Sequence, residues 1–237
     1  MDRADNYSTD QAAFNERVEM KAMILAAGRG KRMMPLTETQ PKPMLKINGK
    51  PLLEHHINNL RQAGVTDIVI NLAWQGDKIT EYFGDGSQFG VSITYSQEQA
   101  GGLETAGGII QALPLLGEQF IVINGDVFTD YDVTSLMQLH LQVGEAHIVL
   151  VENPAHNPDG DFALSHLSHD SQKYTFSGIS RYHADFFKGL STGVRPLGPI
   201  LREKLSEHQV STELYLGQWD DIGTPARLDE INQRFAL

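Results

Sequence analysis

Short apolar runs with strand character alternate along this chain with segments of helical periodicity, and that alternation restricts its fold more than any other feature. Ala22-Met-Ile-Leu-Ala26 is a continuous apolar run leading into Gly28, as expected of a parallel strand buried on both faces. Leu53, Ile57 and Leu60 recur at helical spacing, with Gly64 as a stop. Asp67–Asn71 reads as a strand, Lys78–Phe83 as a short helix, and Val91–Tyr95 as an alternating strand. Ala106–Leu116 is helical, Phe120–Asn124 another buried strand, Asp132–Leu141 a helix and His147–Val151 a strand. Asn153–Gly160, rich in Pro, Asn and Gly, reads as a loop. Beyond it, Asp161–Leu167 and Tyr174–Tyr182 are expected strands, and Arg195–Glu207 and Pro225–Phe235 expected helices. Repeated strand–helix–strand units imply right-handed crossovers, hence an α/β, Rossmann-like, mostly parallel sheet with helices on both faces. Ligands of such sheets gather beyond the carboxyl ends of the strands, which places the chemistry just after Ala26 and after Ile123.

Residues 20–237 are expected to form one domain, and 1–19 a disordered N-terminal tail or extension. That stretch carries five acidic against two basic residues and lacks the basic start and apolar core of a secretory signal, while Met20 before a strand looks like a start. No internal repeat or low-complexity linker is present, and no apolar run approaches the ~20 residues that span a bilayer. With 19 basic and 30 acidic residues the net charge is −11, which argues against non-specific nucleic-acid binding. The absence of cysteine removes disulfides, thiolate zinc sites and thiol nucleophiles, and fits a cytoplasmic location. The nine histidines show no ligand spacing; His55 and His56, on a helix, are expected to be structural.

Leu25-Ala-Ala-Gly-Arg-Gly-Lys-Arg-Met33 follows the first strand directly. Small residues let backbone N–H groups approach an anion, and Lys31 and Arg32 add charge, although a tight turn without a ligand has the same composition. A dinucleotide fingerprint fails where Met33 stands in place of a third glycine, a P-loop fails where Arg32 replaces Ser or Thr, and Pro35 breaks the helix that either needs. Lys42, between Pro41 and Pro43, is stiffly presented. Asp126 ends Asn124-Gly-Asp, where an aspartate is also an ordinary turn former. Asp221 lies in Trp219-Asp-Asp-Ile-Gly-Thr224 and equally suits a cap before Pro225.

These segments together, Leu25–Met33, Pro35-Leu-Thr37 and Pro41-Lys-Pro43, then Asn124-Gly-Asp126 and Trp219–Thr224, resemble the signature of the sugar-1-phosphate nucleotidyltransferases. Leu103-Glu-Thr105, Asn124–Asp132, Asn153-Pro-x-His156, Gly160-Asp-Phe162 and Phe176–Ser180 look like a narrower branch, the bacterial N-acetylmuramate 1-phosphate uridylyltransferases of peptidoglycan recycling. The resemblance implies the nucleotide-diphospho-sugar transferase fold and a Mg²⁺ ion held by Asp126 and Asp221, with Asp220 the weaker alternative. It implies catalytic roles for Arg32 and Lys42. Nucleotide contacts would come from Ala27, Gly28, Gly30, Lys31, Arg32, Lys42, Gly102, Glu104, Thr105 and Asn124. Glu104 departs from the Gly or Ala that most relatives carry there, and Gln97 or Glu98 could accept from a pyrimidine imide. The Glu-Lys-Pro motif with which many members grip the sugar phosphate is missing, so Asn153, Asp161, Ser177 and Gly178 are the candidates on that side. The implied partners are UTP and a sugar 1-phosphate, with no nucleic acid or membrane, in a monomer or homodimer. Another member acting on glucose, mannose or a phosphocholine-type acceptor, and a non-catalytic regulatory relative, are the competing expectations.

Overall fold

A computed structural model describes residues 20–99, 101–165 and 172–236. The expected tail, 1–19, and the end of the expected strand Asp161–Leu167 lie outside the described residues. The first half of the chain contains β1 (Lys21–Leu25), a small hairpin of β2 (Lys46–Ile47) and β3 (Lys50–Pro51), α1 (Leu52–Gln62), β4 (Asp67–Leu72), α2 (Gly76–Phe83), β5 (Ser92–Gln97) and α3 (Glu104–Leu116). Then come β6 (Gln119–Asn124), β7 (Val127–Thr129), α4 (Thr134–Gln138), β8 (Ala146–Val151), β9 (Phe162–Ala163), β10 (Lys173–His183), α5 (Leu197–Ser206), β11 (Val210–Tyr215), β12 (Trp219–Asp221) and α6 (Pro225–Arg234).

The main sheet runs β11-β8-β10-β6-β1-β4-β5, with β9 paired to β10. Every neighbour pair along that order is parallel except the two made by β10, which lies antiparallel between β6 and β8. Strand order reverses at β1: the chain steps outward through β4 to β5, then returns to place β6 on the other side. Alternation along each strand divides the apolar side chains between two layers. Ala22 and Ile24 of β1, Ile68 and Ile70 of β4, and Ile121 and Ile123 of β6 join Leu53 and Ile57 of α1 and Ile79 and Phe83 of α2. Met23, Val69 and Val122 point the other way, onto Ile109 and Ala112 of α3 and Ile200 and Leu201 of α5. Helices therefore cover both faces, as the sequence predicts. A third cluster seats α6 on the hairpin through Ile47, Leu52, Ile222, Leu228 and Ile231.

Three expectations change. The helix expected over Asp132–Leu141 is only α4, because Leu139 turns to extended backbone. The strand expected from Asp161 is the two-residue β9 among the described residues. β7, β11 and β12 were not expected: two are three residues long, and β11 is a half-buried edge strand of mixed polarity. Short or polar strands carry little periodicity of their own.

His56 of α1 is buried, with no partner for Nε2. Burial, and then neighbouring His55, lower its pKa from 6.5 to about 4. Below pH 6.5 the unfolded chain therefore takes a proton that the folded chain refuses, so this residue costs stability as pH falls towards 4. Urea unfolding between pH 7 and pH 4 should show His56→Gln losing about 3 kcal/mol less than the wild type. An identical pH dependence in the two proteins would show that His56 is not held neutral.

Candidate active site

Polar chemistry collects where strand order reverses, at the carboxyl ends of β1 and β6. A cavity of about 560 Å³ opens there, within the range of small-molecule sites. Ala27, Gly28, Lys42, Asn124 and Asp126 line it from one side, and Gly102, Glu104 and Thr105 from the other. A smaller hollow of about 230 Å³ shares Gly28, Lys42 and Asp126 with it and adds Gly30, Lys31 and Arg32. All the residues proposed for the nucleotide, and the two proposed as catalytic, thus meet in two adjoining spaces. Arg29 lies over the Trp74 ring, 4.6 Å from its centroid, at the rim of the larger one.

After β1 the chain forms no α-helix. Lys31–Met33, Leu36–Glu38 and Lys42–Met44 are successive 3₁₀ turns. Gly30 needs its positive φ of 63°, and a Cβ there would sit 3.0 Å from Thr37 and 3.2 Å from Lys42. Pro41 enters the third turn extended and Pro43 sits inside it, so the Lys42 stem is delivered from a rigid backbone. Its side chain is buried, and Nζ lies 2.6 Å from Asp126 Oδ2.

Asp126 and Asp221 are joined by a two-stranded ladder. β7 and β12 pair antiparallel with Val127 opposite Asp221, and the Ile222 N–H donates to the Asp126 carbonyl at 2.8 Å. Trp219 Nε1 donates to the Ser177 carbonyl at 2.9 Å, tying β12 to β10. Asp221 is not the cap of α6, since Thr224 Oγ1 accepts the Arg227 N–H there. Asp220 turns away and is bridged by both terminal nitrogens of Arg234, at 2.7 and 2.8 Å. The Asp221 carboxylate is held by Arg227 Nη1, with His156 Nε2 3.4 Å away. Burial, then the guanidiniums of Arg227 and Arg32, hold the His156 ring below its usual range. Burial, then Arg32, likewise lower Arg227, so two guanidiniums and an imidazole share one small region of an acidic protein.

A buried hydrogen-bond chain, missed in the sequence, fixes the cavity wall. The Ala26 N–H donates to Asn71 Oδ1 at 2.7 Å, Asn71 Nδ2 donates to Glu98 Oε1 at 2.6 Å, and the Leu103 N–H donates to Glu98 Oε2 at 2.8 Å. It clamps the start of the first glycine-rich loop to the start of the second. Glu98 is buried, with both carboxylate oxygens engaged. Gln97 spends its amide nitrogen on the Leu72 and Glu98 carbonyls. An asparagine within an apolar strand was the available signal, since a buried amide must find partners.

The four residues expected on the sugar side line neither space. Asn153 and Asp161 are spent on their own loop: Asn153 bonds Pro158, Lys173 and Thr175, and Asp161 accepts from Asn157 and the Phe176 N–H. Ser177 Oγ accepts from the Ile179 N–H. Gly178, at φ 81°, leaves room for Asn124, whose Nδ2 would lie 2.5 Å from a Cβ at that position.

The profile of the family described as Nucleotidyl transferase matches residues 21–164, more than half of the chain. An N-acetylmuramate alpha-1-phosphate uridylyltransferase of Neisseria meningitidis serogroup B is 53% identical over 89% of this chain and 96% of its own length. A UTP–glucose-1-phosphate uridylyltransferase of Synechocystis is 40% identical, over 56% of this chain and 37% of that protein. The crystal structure of a UDP-glucose pyrophosphorylase complexed with UDP-glucose superposes with a TM-score of 0.74, covering 92% of this chain and 98% of that one, at 18% identity. That last likeness shows the nucleotide-diphospho-sugar transferase fold.

Glu104 opens α3 at φ 57°, in the left-handed region where a Cβ crowds the following carbonyl. Glycine normally costs about 1 kcal/mol in a helix. At this position Glu104→Gly should instead match or exceed wild-type stability, by about 0.5 kcal/mol, whereas Glu104→Ala keeps the strain. Thermal unfolding of the pair tests this, and a destabilised glycine variant would show that no strain is stored there.

Proposed function

This chain belongs to the nucleotidyl transferase family, and we propose that within it the protein transfers UMP from UTP to N-acetylmuramate 1-phosphate, giving UDP-N-acetylmuramate and pyrophosphate. The observation that carries this is identity of 53% with the Neisseria uridylyltransferase along nearly the whole of both chains. Residues 20–237 act as one catalytic domain, as a monomer or homodimer, in the cytoplasm where UTP is made.

Asp126 and Asp221 would hold Mg²⁺. The donor set fits: Asp126 directly precedes β7 and Asp221 ends β12, the strand paired with it, so the fold brings together the backbones that carry two carboxylates. Mg²⁺ favours such sites, taking one or two carboxylates from protein and the rest from phosphate oxygens and water. When bound, it would neutralise charge on the phosphate oxygens around the reacting phosphorus.

The chain's own residues supply position and charge. The amides of Ala27, Gly28 and Gly30 cradle the triphosphate, with Lys31 and Arg32 beside them. Gly102, Glu104 and Thr105 bound the space for base and ribose, and Asn124 closes its floor. The sugar phosphate, with a second pKa near 6, is already anionic and needs no general base. Its oxygen attacks the α-phosphorus in line and pyrophosphate departs. Arg32 and Lys42 meet the charge gathering on the leaving group, interactions that grow towards the transition state. Asn153 and Asp161 contribute by shaping the loop that faces the sugar, and Ser177 and Gly178 by their backbone.

Across a panel of NTPs and sugar phosphates, pyrophosphate release should give its highest kcat/KM with UTP and N-acetylmuramate 1-phosphate. A higher value with glucose 1-phosphate would move the protein to another branch, and no release with any pair would make it a binding relative.

Asp126→Asn should unfold at the wild-type temperature and lose at least about 10²-fold in kcat, the scale expected when one preorganised charge is removed from a reacting centre. Near-normal turnover would remove Asp126 from the chemistry.

A further inference from the structure

We propose that Arg227 is a resident counterion of Asp221 which the metal ion displaces, and that the freed guanidinium then takes the phosphate of the acceptor sugar. The inference rests on the assignment of Asp126 and Asp221 to the metal.

Each of those carboxylates already has its own cation, Lys42 on Asp126 and Arg227 on Asp221. A divalent ion held by both carboxylates would repel both cations. Lys42 is buried on a proline-stiffened turn and stays beside the triphosphate space. Arg227 differs: its backbone is fixed in the first turn of α6 by the Thr224 cap, but its guanidinium is reached through a long, partly exposed side chain. It therefore swings as a tethered cation. Its present neighbours are Asp221 and the ring of His156, whose Nε2 lies 3.3 Å from Nη1. His156 is brought there by the loop between β8 and β9, the same loop that Asn153 and Asp161 hold in shape.

Electrostatics favours an anion as the next partner. Asp221 is the carboxylate that Arg227 pairs with, so releasing Asp221 to a metal leaves that guanidinium without its counterion. A phosphate monoester dianion satisfies it, and a guanidinium presents five donors in a fork that matches phosphate oxygens. The lysine of the Glu-Lys-Pro motif is missing, and Lys173 is an exposed residue at the start of β10, so neither supplies a cation to the acceptor. In the free protein neither carboxylate is left bare, since each holds its own cation.

The test uses the full chain with Mn²⁺ as a spectroscopic probe and N-acetylmuramate 1-phosphate as the acceptor. Electron paramagnetic resonance without nucleotide should show Arg227→Met binding Mn²⁺ about fivefold more tightly than wild type, the effect of removing a competing partly exposed ion pair. Calorimetry with Mg²⁺ and a non-hydrolysable UTP analogue should show acceptor affinity at least about tenfold weaker in Arg227→Met, as expected for loss of charge-assisted hydrogen bonds. Affinity for the UTP analogue should be unchanged, and Arg227→Lys should recover part of the acceptor binding, which separates the effect from misfolding. Unchanged or weaker Mn²⁺ binding in Arg227→Met overturns the displacement, and unchanged acceptor affinity overturns the transfer to phosphate. Asp221→Asn distinguishes the underlying assignment: if it holds Mn²⁺ as well as wild type does, the metal reading itself fails and the exchange falls with it.

Discussion

The pairing of Val127–Thr129 with Trp219–Asp221 joins two distant stretches of chain, and the geometry of the site depends on it. Three residues on each side contribute little burial of their own. What secures the ladder is its surroundings: Gly125 donating to the Leu25 carbonyl, Ile222 to the Asp126 carbonyl, and the Trp219 indole to Ser177. Through these bonds the ends of β1, β6, β10 and β12 hold one another in place. Asp126 and Asp221 are brought to neighbouring stretches of backbone, and each carboxylate is paired, one with a lysine and the other with an arginine. Such pairing leaves neither carboxylate as a bare charge in a partly buried site.

Rigidity on the nucleotide side has another source. The chain of bonds from Ala26 through Asn71 and Glu98 to Leu103 buries a carboxylate with only a side-chain amide and a backbone N–H as partners. Removing any one member leaves a polar group without a partner in low dielectric, which costs more than the bond itself contributes. The network therefore sets the spacing of two glycine-rich loops that have little side-chain packing. Such preorganisation suits phosphoryl chemistry, in which the protein's tasks are positioning and charge stabilisation.

The overall charge of −11 sits beside a site whose walls carry Arg29, Lys31, Arg32 and Lys42. An acidic body discourages polyanions at large, while a concave, locally basic site admits a small one.

Much of this was readable from residues alone. The apolar runs of β1, β4, β6 and β8 and the periodicity of α1, α3 and α6 identified a parallel sheet with helices on both faces, because burial on two faces demands continuous apolarity and burial on one demands a stripe. The glycine-rich loop, Pro-Lys-Pro and the two aspartates pointed to the chemistry through spelling that a resemblance made specific. Tertiary structure decided the rest. Strands as short as β7 and β12 have no periodicity to read, so the neighbourhood of Asp126 and Asp221 exists only in the fold. Asp220 and Asp221 are adjacent in sequence and alike in chemistry; only the fold gives one to Arg234 and the other to Arg227 and His156. Asn153 and Asp161 looked like ligand contacts and proved to be loop scaffolding, since a side chain's partners are set by long-range packing. Glu98, by composition a loop carboxylate, is buried for the same reason. Local sequence determined which segments could bury their faces, and the three-dimensional path determined which charges must neutralise one another.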